Sequence, residues 1–153
     1  MENIKVIANN KKARHEYFIL SNHEAGIALK GTEVKSVRNN RISFLDSYAR
    51  IDDSELWLIG LHISPYEKGN IYNHDPIRPR KLLMHKREIA RLRKDIKEKG
   101  LTLVPLSVYL KNGRVKIELG IARGKQLYDK RDEKAKHDAK REMERAIKRN
   151  YQS

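Results

Sequence analysis

The sequence contains no cysteine and no long apolar segment. The first absence excludes disulfide bonds, metal sites built on thiolates and catalysis by a cysteine nucleophile. The second argues against a membrane-spanning helix, which needs about 20 predominantly apolar residues. Residues 1–10 also lack the basic region and apolar block of a secretory signal. Together these absences predict a cytoplasmic protein.

Recognisable catalytic motifs are also missing. The six histidines lack the spacing of a helical zinc or hydrolase site, and no glycine-rich phosphate loop follows a strand. An enzyme alternative rests on His74 beside Asp75, which could orient an imidazole for proton transfer in RNA processing. The neighbouring Pro76 and Pro79 instead favour an irregular loop whose Asn and Asp side chains bond to nearby backbone. We therefore predict that the protein is not an enzyme and holds no metal or cofactor.

What the sequence has in excess is positive charge. Its 34 lysines and arginines face 20 acidic residues, which gives a formal net charge of +14 and a pI near 10.0. This imbalance favours a polyanionic partner, and nucleic acid fits better than a membrane surface. Three segments concentrate the charge: Lys11, Lys12 and Arg14; Lys35, Arg38 and Arg41; and Arg78, Arg80, Lys81, Lys86 and Arg87. An ordinary solvated surface is the alternative, but the third cluster is uncompensated until Glu88, which favours phosphate contact.

The end of the chain has charge almost throughout and little with which to build a core. Its sparse apolar residues, such as Ala139 and Met143, recur at helical spacing and form only a thin stripe. Opposite charges four residues apart are nearly balanced by like charges four apart, so an isolated helix gains almost nothing. We predict an RNA-binding barrel domain over residues 1–122 and a basic tail over 123–153, disordered alone and helical when bound.

Between Tyr17 and Ile121, short runs of branched and aromatic residues alternate with turn signals, which predicts a sheet. Three hairpins are expected: 17–20 with 27–29, 47–51 with 55–63, and 106–111 with 115–121. The third turn, Asn112-Gly113, is the strongest short-range hairpin signal. We predict a mainly β fold with peripheral helices, organised as a small closed antiparallel barrel of the oligonucleotide-binding (OB) type.

Two helices are expected around this sheet. Thr32 can cap a short helix in which Val34 and Val37 share a face. A longer helix would carry Leu82, Leu83, Ile89, Leu92 and Ile96, and would end before Gly100. Five aromatic residues are candidates for stacking on bases: Tyr48, Trp57, Tyr66, Tyr72 and Tyr109. Trp57 lies within an apolar strand and is expected in the core.

Four strings of the sequence, taken together, resemble one protein family. They are NKKARHEYF at 10–18, GTEVKSVR at 31–38, NHDPIRPRKLLM at 73–84 and GIARGKQLYDKR at 120–131. In order and spacing they closely resemble the SsrA-binding (SmpB) proteins, the bacterial partners of transfer-messenger RNA. The resemblance implies an OB-type barrel without catalytic activity that binds the tRNA-like domain of this RNA. It also implies delivery, with elongation factor Tu, to the A site of a stalled ribosome, where the tail occupies the empty mRNA channel.

The resemblance also implies roles for particular residues. Asn10, Lys11, Glu24 and Leu83 match family positions that hold the tRNA-like domain, although Glu24 is equally expected as a turn residue of the first hairpin. Charge adds these RNA-binding candidates: Lys12, Arg14, Lys35, Arg38, Arg80 and Lys81. The ribosome-binding candidates are Gly124, Lys125, Tyr128, Asp129, Lys130, Arg131, Lys134, Lys136, Lys140 and Arg141. A general ribosomal-RNA-binding protein is the alternative to this assignment.

Overall fold

The computed structural model describes residues 3–66 and 73–125. They form nine strands and three helices in this order: β1 (Ile4–Asn9), α1 (Lys11–Glu16), β2 (Tyr17–Ile27), α2 (Gly31–Arg38), β3 (Ile42–Ser43), β4 (Tyr48–Asp52), β5 (Glu55–Ile59), β6 (His62–Ile63), β7 (Arg80–Leu83), α3 (Lys86–Lys99), β8 (Thr102–Lys111) and β9 (Arg114–Gly124).

The main sheet closes on itself. Its antiparallel strands follow the order β1-β8-β4-β5-β7-β2-β9, and β9 pairs again with β8. Six strands therefore form a ring, while β1 pairs with the second half of β8, from Ser107 to Lys111. Closure removes exposed sheet edges from the ring. The predicted closed barrel with peripheral helices is confirmed.

Alternating apolar residues fill the inside of this ring. On β5, Leu56 and Leu58 point inward, and Ile117 and Leu119 do the same on β9. This is the two-residue period of a strand with one buried face. Helix α3 adds Ile89 and Leu92, with Ile96 partly buried, to the same core. The outward-facing residues of the strands are thus available for surface contacts.

The first predicted hairpin is wrong. Residues 17–27 form one strand, β2, which pairs with β9 from Tyr17 opposite Gly124 to Gly26 opposite Lys116. The polar stretch 21–24 lies within this strand, where partner hydrogen bonds outweigh its turn-like composition. An irregularity between Ile19 and Ser21 lets the strand bend around the barrel. Glu24 is consequently a strand residue, not a turn residue.

The other two hairpins are confirmed, with one strand shortened. Asn112 and Gly113 have φ values of 52° and 82°, as a type I′ turn requires. Asp53 and Ser54 likewise have positive φ at the turn between β4 and β5. Gly60, at φ 83°, ends β5, so the predicted strand 55–63 is split and β6 pairs with β3 instead.

Both predicted helices are present with altered beginnings. Helix α2 starts at Gly31, with Thr32 inside it, and the Glu33 carboxylate accepts from the Lys30 N–H at 2.7 Å. Leu82 and Leu83 belong to strand β7, so α3 begins only at Lys86. It ends at Lys99, before Gly100 as predicted, and Gly100 caps it in a left-handed conformation with φ 61°. Strand β1 and helix α1 were not predicted.

Candidate nucleic-acid interface

Helix α1 is fixed to the barrel by Asn10. The Asn10 Oδ1 accepts from the Ala13 N–H at 3.1 Å, and its Nδ2 donates to the Pro105 carbonyl at 2.8 Å. The residue is only 6% exposed. Asn10, predicted as an RNA contact, thus caps and positions the helix that exposes Lys11, Lys12 and Arg14.

A small apolar cluster lies between α1 and the outside of the barrel. Its buried members are Ala13, Val104, Leu106 and Ala122. Gly120 of β9 lets the Leu106 and Ile19 side chains pack over it, because a Cβ there would lie 2.8 Å from the Leu106 Cδ1. Helix α1 therefore covers one part of the outer face of β8, β9 and β2, and the other described residues leave the adjoining part open.

Glu24 lies in the open part. The Tyr109 hydroxyl donates to its Oε2, and the Lys111 Nζ lies 3.3 Å from its Oε1. The Tyr109 hydrogen bond, aided by Lys111, outweighs partial desolvation and lowers the pKa of Glu24 below its ordinary value. The side chain is therefore an anion held at a fixed place beside several lysine and arginine side chains.

Two adjoining depressions meet at Glu24 and Lys116. We call their combined surface the Glu24 strip, and it is lined by Glu24, Gly26, Leu83, Met84, His85, Glu88, Lys111, Asn112, Arg114 and Lys116. Leu83 is 50% exposed at one end, while Lys111 and Arg114 lie at the other. The strip thus offers an apolar contact, an acceptor and several cations, a combination suited to folded RNA.

The strip is connected to two of the predicted basic clusters. Arg14 of α1 contacts Glu118 at 3.0 Å, and Glu118 lies opposite Glu24 in the pairing of β2 with β9. Arg38 of α2 donates to the Gly113 carbonyl at 3.2 Å, in the turn beside the second depression. Arg14, Arg38, Glu24 and Leu83 therefore lie on or beside one continuous surface.

Three other candidates lie elsewhere. Lys12 pairs with Asp46 at 2.6 Å, and Lys81 pairs with Glu55 at 2.6 Å. The Lys35 ammonium lies 5.2 Å from the centre of the Tyr66 ring. Exposed pairs of this kind contribute little to stability, so these cations can exchange their partners for phosphate.

The prediction that Arg80 contacts RNA is wrong. The Arg80 side chain has no exposed area, and its guanidinium donates to Glu33 at 2.6 Å and to the Leu61 carbonyl at 2.5 Å. Arg78 also contacts Glu33 at 2.5 Å. Arg80 cannot touch RNA from this position, because it belongs to a buried charge cluster that joins α2 to the segment before β7.

Glu33, the centre of that cluster, was not predicted. Burial alone would raise its pKa, but hydrogen bonds from Arg78, the Lys30 N–H and Arg80 outweigh burial and lower the pKa. Glu33 is therefore ionised inside the protein, where only complete pairing makes a charge tolerable. The cluster fixes α2, which carries Arg38, against the barrel.

The predicted loop at 73–76 is confirmed. The Asp75 Oδ1 accepts from the Ile77 N–H at 3.1 Å, and the Asn73 Oδ1 accepts from the Tyr66 N–H at 2.9 Å. His74 is buried, with Nδ1 2.8 Å from the Thr32 hydroxyl and Nε2 2.8 Å from the Ile63 carbonyl. Both ring nitrogens are engaged, which contradicts the RNA-processing alternative and gives His74 a structural role.

The aromatic candidates separate into different environments. Trp57, expected in the core, is half-buried on the outer face of β5, opposite Arg50 and Lys81 on the neighbouring strands. Tyr109 holds Glu24, whereas Tyr48 is 41% exposed on β4. Tyr72 lies outside the described residues.

The described chain ends where the predicted ribosome contacts begin. Gly124 pairs with Tyr17, and the Lys125 ammonium lies 5.1 Å from the centre of the Phe18 ring. The remaining ribosome-binding candidates lie outside the described residues: Tyr128, Asp129, Lys130, Arg131, Lys134, Lys136, Lys140 and Arg141. The expected helicity of the tail lies outside them as well.

Membrane-spanning helices and clusters of metal ligands are both absent from residues 3–66 and 73–125. None of the helices there has the length and apolar character to span a lipid bilayer. In the same residues, no group of three or more His, Asp or Glu side chains is arranged to hold a metal ion.

Comparison with known proteins gives consistent matches. The SmpB protein family matches residues 7–149. An SsrA-binding protein from Carboxydothermus hydrogenoformans is 63% identical over 147 residues, covering 96% of this chain and 99% of that protein. One from Acetivibrio thermocellus is 59% identical over 150 residues, covering 98% and 97%. A chain solved in "tmRNA-SmpB: a journey to the center of the bacterial ribosome" is 55% identical, with a TM-score of 0.65, covering 77% of this chain and 83% of that one.

Proposed function

Because the chain belongs to the SmpB protein family, we propose that it binds transfer-messenger RNA and acts in trans-translation on the ribosome. The observation that carries this proposal is the Glu24 strip, in which an acceptor, an exposed leucine and cations lie together on one concave surface. The tRNA-like domain of the RNA is the part that a preformed surface of this kind recognises by shape.

In this proposal the barrel and the tail have separate partners. The barrel, over residues 1–122, carries the tRNA-like domain to the A site of a stalled ribosome together with elongation factor Tu. The segment that starts at Gly124 and Lys125 contacts the decoding centre, and the tail becomes helical in the vacant mRNA channel. The protein supplies binding and placement, with no catalytic step of its own, and acts in the cytoplasm where ribosomes are found.

Selective capture from total bacterial RNA tests this function. The immobilised full chain is expected to recover transfer-messenger RNA far above its share of the input. Leu83→Ser should reduce this recovery, because it removes an exposed apolar contact from the strip. Leu45→Ser is the matched control, since Leu45 is 56% exposed but lines a different groove with Lys12 and Asp46.

Two results would contradict the proposal in different ways. Broad, salt-sensitive recovery of ribosomal RNA without selection would indicate the general ribosomal-RNA-binding alternative. Equal loss in the Leu83→Ser and Leu45→Ser variants would mean that the Glu24 strip is not the binding surface.

A further inference from the structure

The Glu24 carboxylate has acceptor capacity that residues 3–66 and 73–125 do not use. A carboxylate offers about four lone-pair positions. The Tyr109 hydroxyl and the Lys111 ammonium approach Oε2, and Lys111 bridges to Oε1 at 3.3 Å. The Glu24 side chain is 38% exposed, so an oxygen remains accessible from the strip.

The chemistry of this position excludes phosphate as the group that Glu24 contacts. A phosphodiester carries negative charge and no hydrogen-bond donor, so it would be repelled by the carboxylate. RNA offers two kinds of donor instead, the ribose 2′-hydroxyl and the N–H groups of base edges. A carboxylate that stays ionised in the free protein accepts from either kind without first losing a proton.

The surrounding charges favour the sugar. Glu24 shares one depression with Lys111, Arg114 and Lys116, whose ammonium and guanidinium groups suit backbone phosphates. Along an RNA strand each 2′-hydroxyl lies close to the phosphates on either side of its sugar. An acceptor set among phosphate-binding cations is therefore placed beside the backbone, where the ribose is.

Tyr109 and Lys111 determine where this acceptor points. Tyr109 projects from β8 and lies in register with Lys116 of β9, which in turn lies opposite Gly26 of β2. Leu83 packs closely over Gly26, where an added Cβ would lie 3.3 Å from the Leu83 Cβ. Glu24, Gly26 and Leu83 line the same depression. Without the Tyr109 hydroxyl, the exposed Glu24 side chain would sample other rotamers and lose directed acceptor geometry.

We propose that Tyr109 and Lys111 are positioning residues, which fix the Glu24 carboxylate as the acceptor for one ribose 2′-hydroxyl of the bound RNA. This inference rests on the proposed function and adds to it a means of distinguishing ribose from deoxyribose. Tyr109 acts through Glu24, so its contribution depends on the presence of the carboxylate.

A double-mutant cycle with the full chain and a fragment of the tRNA-like domain tests the positioning role. Tyr109→Phe is expected to weaken binding about five- to tenfold, because the Glu24 side chain would then have to be ordered when RNA binds. The slope of log Kd against log salt should stay unchanged, since no phosphate contact is removed. In the Glu24→Ala background the same substitution should change Kd less than about twofold. Tyr17→Phe on β2 is the matched control and should have no effect, because Tyr17 packs against the apolar cluster beneath α1.

A scan of single 2′-deoxy substitutions in the same fragment tests the sugar contact. One position is expected at which the substitution weakens binding to the wild-type chain about tenfold but leaves binding to Glu24→Ala unchanged. Additive effects of Tyr109→Phe and Glu24→Ala would overturn the positioning role. The ribose assignment would be overturned if a guanine-to-inosine substitution weakens binding to the wild-type chain but not to Glu24→Ala, and no 2′-deoxy substitution behaves in this way. If the wild-type chain does not prefer this fragment to an unrelated folded RNA of equal length, the failure lies in the proposed function itself.

Discussion

Single residues decide whether the buried charge cluster stabilises or disrupts the fold. Glu33 has no exposed side-chain area and contacts both Arg78 and Arg80. Replacing Glu33 with Gln leaves the buried Arg80 guanidinium without a counter-charge. We expect the free energy of unfolding, measured by urea titration, to fall by about 3–5 kcal/mol. Glu55→Gln removes only the exposed pair with Lys81 and should cost less than about 1 kcal/mol.

The same residue predicts a pH dependence. Because the folded state lowers the pKa of Glu33, its contribution to stability is complete above the ordinary glutamate pKa of 4.5 and is lost as pH falls through the folded-state value. Wild-type unfolding should therefore become easier in this acid range, and Glu33→Gln should show a weaker dependence. Equal unfolding free energies for Glu33→Gln and Glu55→Gln at neutral pH would contradict the structural role of the cluster.

At the scale of elements, the sequence predicts best where a local signal and the tertiary pairing agree. Asn112-Gly113 between alternating runs correctly predicts the β8–β9 hairpin, because its turn demands residues that tolerate positive φ. The stretch 21–24 has turn composition as well, yet it lies inside β2. All four of its residues pair with β9, a strand distant in sequence that pairs with β2 at nine positions in all.

The candidate site shows the same division. Motif resemblance and charge point to Glu24, Leu83, Arg14 and Arg38, and the structure brings them to one continuous surface. The motif resemblance and the charge pattern do not reveal that Arg80 is buried. An arginine in a basic run has the same local sequence whether or not the distant Glu33 pairs with it. Strand alternation places Tyr109 and Lys111 on one face, but only the barrel's register brings them to Glu24.

The β8–β9 turn provides a prediction at this scale. Gly113 has φ 82°, a conformation that a side chain disfavours, and its carbonyl accepts from Arg38. Gly113→Ala should lower the unfolding free energy by about 1 kcal/mol because of backbone strain. Gly31→Ala is the control: nothing lies within 4 Å of its added Cβ, and its φ is not in the disfavoured range. That control should be neutral or stabilising by about 0.4–1 kcal/mol. Equal destabilisation by the two variants would contradict this account of the turn.

At the scale of the whole molecule, the net charge of +14 can act through direct phosphate contacts or as a general attraction for RNA, and these two effects can be measured separately. Lys116 lies at the junction of the two depressions, so Lys116→Ala should remove about one phosphate contact. The slope of log Kobs for the tRNA-like domain against log salt should become shallower by about 0.9. Lys99→Ala, at the end of α3, changes net charge equally and should leave the slope unchanged. An equal change in both slopes would mean that overall charge, not the Glu24 strip, drives binding.

The division between barrel and tail is tested by ending the chain after Arg131. The residues that surround Glu24 all lie before this point, so the shortened chain should bind the tRNA-like domain with a Kd within about threefold of the full chain. The deleted part is highly charged, with a small excess of lysine and arginine, and poor in apolar residues, a composition that disfavours folding alone. Removing it should abolish peptide tagging on stalled ribosomes, measured in a reconstituted translation reaction.

A full-length chain with Lys134, Lys136, Lys140 and Arg141 changed to Gln separates charge from length, and it should also lose tagging while retaining RNA binding. Loss of RNA binding in the shortened chain would mean that part of the RNA-binding surface lies in the tail. Retained tagging in both variants would mean that the tail is not needed on the ribosome.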